Sequence, residues 1–259
     1  MLRIRAKHME AFRAEAMIDF EERMIAHLRQ FSPEHFHLLD VEQVRAVIRE
    51  GVARAARHDL TSERSVRYYV DVMVLLGGGF DADPLLPWAA TILASADDEA
   101  ARVDRLYAAA CAQVERALED YNARDEGVDQ ERFIVELRRL RDESEAPLTA
   151  ATLPDFRARV TARFAGVFAR ACEQAGDAGV SAAVDHGLAS ASMHGIVTER
   201  GAAIFVALVF FLGAGFTRDP LLPWVRLILD DAAPGGPAAR VERLHAGVVA
   251  YLGQWWSRG

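Results

Sequence analysis

Cysteine is scarce in this chain, which has two among 259 residues, Cys111 and Cys172. They sit far apart in helical patterns, so neither a disulfide framework nor a metal-ligand spacing is present. The expectation is two buried small side chains in a reducing compartment. Long hydrophobic runs are also missing. The longest, AAIFVALVFFL at 202–212, falls short of the roughly 18 apolar residues a bilayer span needs and reads as a buried helix. No apolar stretch follows the charged start MLRIRAKHMEAF, so a secretory signal is not expected. Strand-like alternation is confined to Leu2–Arg5. Basic charge is in deficit, with 30 Lys and Arg against 38 Asp and Glu and a net charge of −8. That balance disfavours nucleic acid and anionic lipid as partners.

What is present is apolar content: 51% hydrophobic residues can fill one large core or two smaller ones. The chain reads as a folded cytoplasmic protein with no membrane span. Its most informative feature appears on comparing it with itself. Residues 76–88 read LGGGFDADPLLPW and residues 212–224 read LGAGFTRDPLLPW. The offset of 136 holds without a gap from Gly51/Gly187 to Ala94/Asp230, and 19 of those 44 positions are identical. ARVDRL at 101–106 answers ARVERL at 239–244, and residues 12–28 answer 156–172 more weakly. The sequence therefore divides into a first copy at 1–125, a connector with a helix at 126–152, and a second copy at 153–259.

Apolar spacing near 3.6 residues predicts an all-α fold: two tandem lobes of about five helices each, stacked side by side or related by an approximate twofold. In the first copy the helices cover about 7–30, 41–57, the stretch opened by the Ser62-Glu63-Arg64 cap, the stretch opened by Pro87, and 98–122. Thr198-Glu199-Arg200 opens the matching helix in the second copy. Gly77 and Gly79, mirrored by Gly213 and Gly215, end it. In the loop that follows, Phe80, Asp83 and Pro84 match Phe216, Asp219 and Pro220. Asp83 and Asp219 are placed to close the turn, and Pro87 and Pro223 suit the first turn of the next helix. Trp88 and Trp224 read as core anchors whose N–H groups seek a backbone partner. The adjacent Trp255 and Trp256 make a small apolar patch. The helix after Ser62 has a polar face through Arg64, Arg67, Tyr68 and Asp71, expected to be partly exposed. Its counterpart is apolar all round and so belongs at the interface between copies or in a dimer contact.

The repeated polar residues His58/His194, Glu63/Glu199 and Arg64/Arg200 form the one candidate polar site. A histidine beside carboxylates could perform acid–base work, but each of these residues also sits where helix capping alone would place it. His35 and His37 are two apart and face different sides of a helix, so no metal or cofactor site is expected. The glycines at 77–79 follow a helix and lack a Lys-Ser/Thr tail, which separates them from a phosphate loop. Acidic charge is concentrated in residues 1–150, which carry a net −9 against +1 for 151–259. Such a surface can steer a basic partner.

The combination of FEERMIAHLRQFSPEH, ARHDLTSERSV, LGGGFDADPLLPW and ARVDRL resembles a family of small all-helical bacterial proteins encoded near type VI secretion effector and spike genes. The resemblance covers about 8–110, and the stretch at 153–252 repeats it less closely. It implies an accessory role as adaptor or chaperone for a secreted effector, with no enzymatic activity and no catalytic residue. An immunity protein that neutralises a toxin is the alternative. A small-molecule binder or hydrolase with a cavity near the His58 and His194 turns is a third reading. Homodimerisation is left open.

Overall fold

The computed structural model of the protein describes residues 6–123, 135–231 and 235–256. Most of these residues are helical, and no strand occurs among them. The helices are α1 (Ala6–Phe31), α2 (Pro33–Leu38), α3 (Val41–Arg57), α4 (Glu63–Leu76), α5 (Pro87–Leu93), α6 (Glu99–Ala123), α7 (Leu153–Val167), α8 (Ala169–Met193), α9 (Glu199–Leu212), α10 (Pro223–Asp230) and α11 (Gly236–Trp256). A further helical stretch spans 135–140, and short 3-10 turns cover Phe80–Ala82 and Phe216–Arg218. None of the described helices is long and apolar enough to cross a membrane. The alternating stretch Leu2–Arg5 and the side chains of Trp255 and Trp256 lie outside the described residues.

Local chemistry accounts for the helix ends. The Ser62 and Thr198 hydroxyls accept from the third amides of α4 and α9, those of Ser65 and Gly201. Gly77 and Gly213 close the same helices at φ 94° and 86°, a backbone that side chains with a Cβ avoid. Asp40 starts α3 with a reciprocal capping box, its carboxylate accepting from the Gln43 amide while its own amide donates to the Gln43 side chain. At the position matching Asp40, α8 breaks instead at Gly176, with φ 66° and ψ 173°. One corner is thus built by a capping residue in the first copy and by a glycine in the second.

The buried apolar residues form two clusters. One is centred on Met24, Ile48, Tyr69, Met73 and Leu106, the other on Phe156, Phe164, Phe205, Leu208 and Leu244. Each contains a leucine from the opposite copy: Leu221 packs in the first cluster and Leu85 in the second. Within each copy two helices approach through a glycine. A Cβ on Gly51 would lie 2.5 Å from Val70 Cγ2, and one on Gly187 would lie 2.8 Å from Val206 Cα.

Two expectations about α4 and α9 change. Ala203–Val209 of α9 are fully buried, but their cover comes from α7, α8 and α11 and from Leu137 and Leu140 of the connector. The His245 ring N–H donates to the Leu137 carbonyl at 2.8 Å, fastening that connector. The last residues of α9, Val209–Leu212, border the junction between the copies. On α4, Arg64 and Arg67 are exposed as expected, whereas Asp71 is buried. Its carboxylate lies 2.7 Å from His27 Nε2, so the polar face read from the sequence is in part an internal contact with α1.

Candidate functional site

The two repeated loops meet each other. Asp83 closes its own turn, Oδ1 accepting from the Leu85 amide at 2.8 Å, and reaches across with Oδ2 to accept from Ala214 N at 2.8 Å. Asp219 does the same in reverse, accepting from Leu221 N at 2.9 Å and from Gly78 N at 2.7 Å. Between the two exchanges the backbones touch. A Cβ on Gly79 would lie 2.6 Å from Gly215 Cα, and one on Gly215 would lie 2.7 Å from Gly79 Cα. Those glycines allow a backbone crossing that no larger residue permits without displacement. Burial pushes both carboxyls above the ordinary aspartate range, opposed by the amides that each accepts. The loops also rest on the opposite copy's long helix. A Cβ on Gly179 of α8 would lie 2.6 Å from the Pro84 carbonyl, and Gln43, Ala46 and Glu50 of α3 share a cleft with Pro220 and Pro223.

This exchange leaves a groove of about 790 Å³ between the copies. Its walls carry Leu75, Leu76, Val114, Ala171, Phe211 and Tyr251, and Asp83 and Asp219 line it as well. The C-terminal ends of α4 and α9 both run into it, bringing Leu76 and Leu212 to its lining. Beside it Arg170 donates to the Arg116 carbonyl at 3.3 Å, tying α8 to α6.

A second polar centre lies within the first copy. Asp81 is buried and accepts from Arg54, from the Tyr69 hydroxyl at 2.7 Å and from His58 Nε2 at 3.0 Å. Burial alone would raise its pKa, but the bonds from Arg54, Tyr69 and His58 together outweigh burial and hold the carboxyl below its ordinary value. Tyr69 is pushed upward by burial and by the Asp81 charge, so it stays a donor. In the second copy the matching positions are Thr217, Ser190, Phe205 and His194. Of the four groups, the histidine alone is retained. Burial lowers the pKa of His194, and its ring packs 5.9 Å from Phe205.

The candidate polar residues are not gathered into one site. Glu63 pairs with Arg23 at 3.0 Å and Arg64 with Asp104 at 2.5 Å, both on the surface. Glu199 pairs with Arg159 at 2.8 Å, and Arg200 holds Glu145 of the connector and Glu242 of α11. Neither His58 nor His194 lines the groove. His58 is partnered by Asp81, which sequence reading passed over because its counterpart Thr217 differs. His35 sits with Nδ1 2.7 Å from the Ser32 hydroxyl and lines the groove, while His37 is exposed. No group of three metal-ligating side chains occurs among the described residues.

The remaining motif residues are structural neighbours of the junction. Phe80 and Phe216 are buried, the first 4.9 Å from Tyr69 and the second 5.6 Å from Phe205. Pro87 and Pro223 occupy the first turns of α5 and α10. Trp88 packs against the first cluster and Trp224 against the second, beside Tyr251. The Trp224 indole N–H is buried with no protein partner, contrary to the expected backbone bond. Cys111 and Cys172 are half-buried rather than buried, and burial pushes the Cys172 thiol upward.

Comparison with known proteins yields no matching family model, no similar curated protein and no similar solved structure.

Proposed function

We propose that the chain is a pair of related helical lobes, joined about an approximate twofold, that acts as a non-enzymatic cytoplasmic binding protein. In this reading it is an adaptor or chaperone for a type VI secretion effector. The observation that carries the binding role is the groove of about 790 Å³ at the junction, apolar along its walls and built from both copies. A cleft of that size accepts a helix or an extended segment laid along its apolar sides. The secretion context comes from the resemblance carried by LGGGFDADPLLPW and its neighbouring segments.

The test is capture from native cells of the tagged full-length chain and of its Ala171→Trp variant, which places an indole in the groove wall. The reading expects a secreted effector to be enriched with the first and lost with the second. If the same proteins accompany both chains, the groove is not where a partner binds. Co-expression with a neighbouring toxin checks the immunity role: growth rescue would replace the adaptor reading.

A further inference from the structure

The lining of the groove is mostly apolar, interrupted by His35 and Gln113, and its carboxylates lie together at one place. Asp83 and Asp219 both line it, one from each copy, and no Lys or Arg is among its lining residues. Each carboxylate already accepts two backbone amides, at 2.7–2.9 Å. A carboxylate has about four lone-pair sites, so acceptor capacity remains at each. Two helices add to this polarity. The last carbonyls of an α-helix have no amide of their own helix to accept from and carry the negative end of its dipole. Val74–Leu76 at the end of α4 and Phe210–Leu212 at the end of α9 line the groove, whereas the Gly77, Val209 and Gly213 carbonyls already accept from Phe80, Gly213 and Phe216. Carboxylates and helix ends therefore place negative potential between apolar walls.

We infer that the groove takes an apolar segment of a partner protein that carries a central lysine or arginine, whose cationic head sits between Asp83 and Asp219. This rests on the binding role proposed above and adds the chemistry of the occupant. Leucine-like side chains on either side would pack on Leu75, Leu76, Phe211 and Tyr251, while the aliphatic stem of the basic residue crosses the apolar wall to reach the carboxylates. A glutamate at the same place would meet two like charges and two helix C-termini.

The experiment titrates the full-length chain with three peptides, acetyl-Leu-Leu-X-Leu-Leu-amide, where X is lysine, norleucine or glutamate, followed by calorimetry and amide chemical shifts. The lysine peptide is expected to bind about tenfold or more tighter than the norleucine peptide, the worth of one charge-assisted contact, and the glutamate peptide weakest. The shifts should fall on residues of α4, α9 and both glycine loops. Ala171→Trp and Val114→Trp place indoles on the α8 and α6 lining, away from Asp83 and Asp219 in sequence, and each should abolish binding while melting normally. Equal affinity for the lysine and norleucine peptides overturns the basic anchor, as does binding that survives both tryptophans or no binding at all. Partner capture that is still lost in Ala171→Trp then leaves the binding role standing without it.

Discussion

The first copy buries charge where the second buries hydrocarbon. Asp71 and Asp81 lie inside the first copy against His27 and against Arg54, His58 and Tyr69. The matching positions in the second copy are Ala207 and Thr217, and Tyr69 is answered by Phe205. A buried carboxylate needs partners that satisfy it, so the first copy's interior is fixed by directional bonds. At these positions the second copy relies on volume, and its α9 is wrapped by its own helices and by the connector. Its directional bonds lie instead at the connector, where Arg163 holds the buried Glu136 and His245 donates to Leu137. The first helices also correspond at an offset of 136, as the equivalent pairs Arg23–Glu63 and Arg159–Glu199 show, rather than as 12–28 against 156–172. Their pair Glu21 and Arg157 shows the same scaffold with reversed polarity. In the first copy Glu21 of α1 is held by Arg45 and Arg49 of α3, at 2.9 and 2.6 Å. In the second, Arg157 of α7 holds Asp185 and Ser181 of α8, which match Arg49 and Arg45. Different side chains thus hold equivalent helix pairs, whereas the junction is built alike on both sides.

The largest expected effect breaks this contrast directly. Asp81→Ala leaves Arg54 half-buried with only the more distant Glu50, and Tyr69 and His58 without their acceptor, and should cost about 3–5 kcal/mol in urea unfolding. Thr217→Ala at the matching place should stay within about 0.5 kcal/mol. Next comes the junction, where the two copies should respond alike. Gly79→Ala and Gly215→Ala each force a methyl onto the facing backbone and should each cost about 1–3 kcal/mol. A large inequality between these two would mean that the crossing is not reciprocal.

Mild acid should separate the copies. His194 and His245 have pKa values lowered by burial from the ordinary 6.5. Their contribution to stability is complete above 6.5 and is lost as pH falls through the lowered values, because the unfolded chain takes up protons first. Glu21 and Asp81, held low by their arginines, contribute in full above the ordinary carboxylate range and are lost only as pH falls through their lowered values. Asp71 has the opposite sign: its raised pKa means its contribution is present at low pH and is lost as pH rises through that value. Between about pH 6.5 and 4.5 the second copy should therefore weaken while the first does not. Amide hydrogen exchange, corrected for intrinsic rates, should show α9 and α11 opening more readily at pH 5.5 than at pH 7.5, with α3 unchanged. Asp83 and Asp219 share one sign and sit symmetrically, so they do not disturb the contrast.

The smallest effect concerns the reversed clamp. Arg157→Ala removes a pair that is largely exposed and should cost less than about 1 kcal/mol. Glu21→Ala removes a buried acid shared by two arginines and should cost more, about 1–2 kcal/mol.

Helix positions were legible because their signals are local. The expected span 41–57 coincides with α3, and hydroxyl caps and glycines mark both ends of α4 and α9. The α2 turn is absent from the expected helices, since six residues are too few for a periodic pattern and only Pro33 at its first turn marks it. The pairing of Asp83 with Ala214 spans 131 positions and follows from no spacing rule. Repetition of Asp83 and Asp219 marked both residues, and its physical cause is an exchange that needs the same group on each side. The same emphasis on shared residues hid Asp81, whose role exists in one copy. It also left Asp71 on an outer face, because helix periodicity cannot register His27 arriving from α1.

The reciprocal junction is tested most directly by the exchange rates of the Gly78 and Ala214 amides in the unmodified chain. Amides in turns between helices ordinarily exchange through small local openings. Held by Asp219 and Asp83, these two should exchange as slowly as the core amides of α4 and α9, and at matching rates. Exchange of either at the rate of an exposed loop would contradict the account.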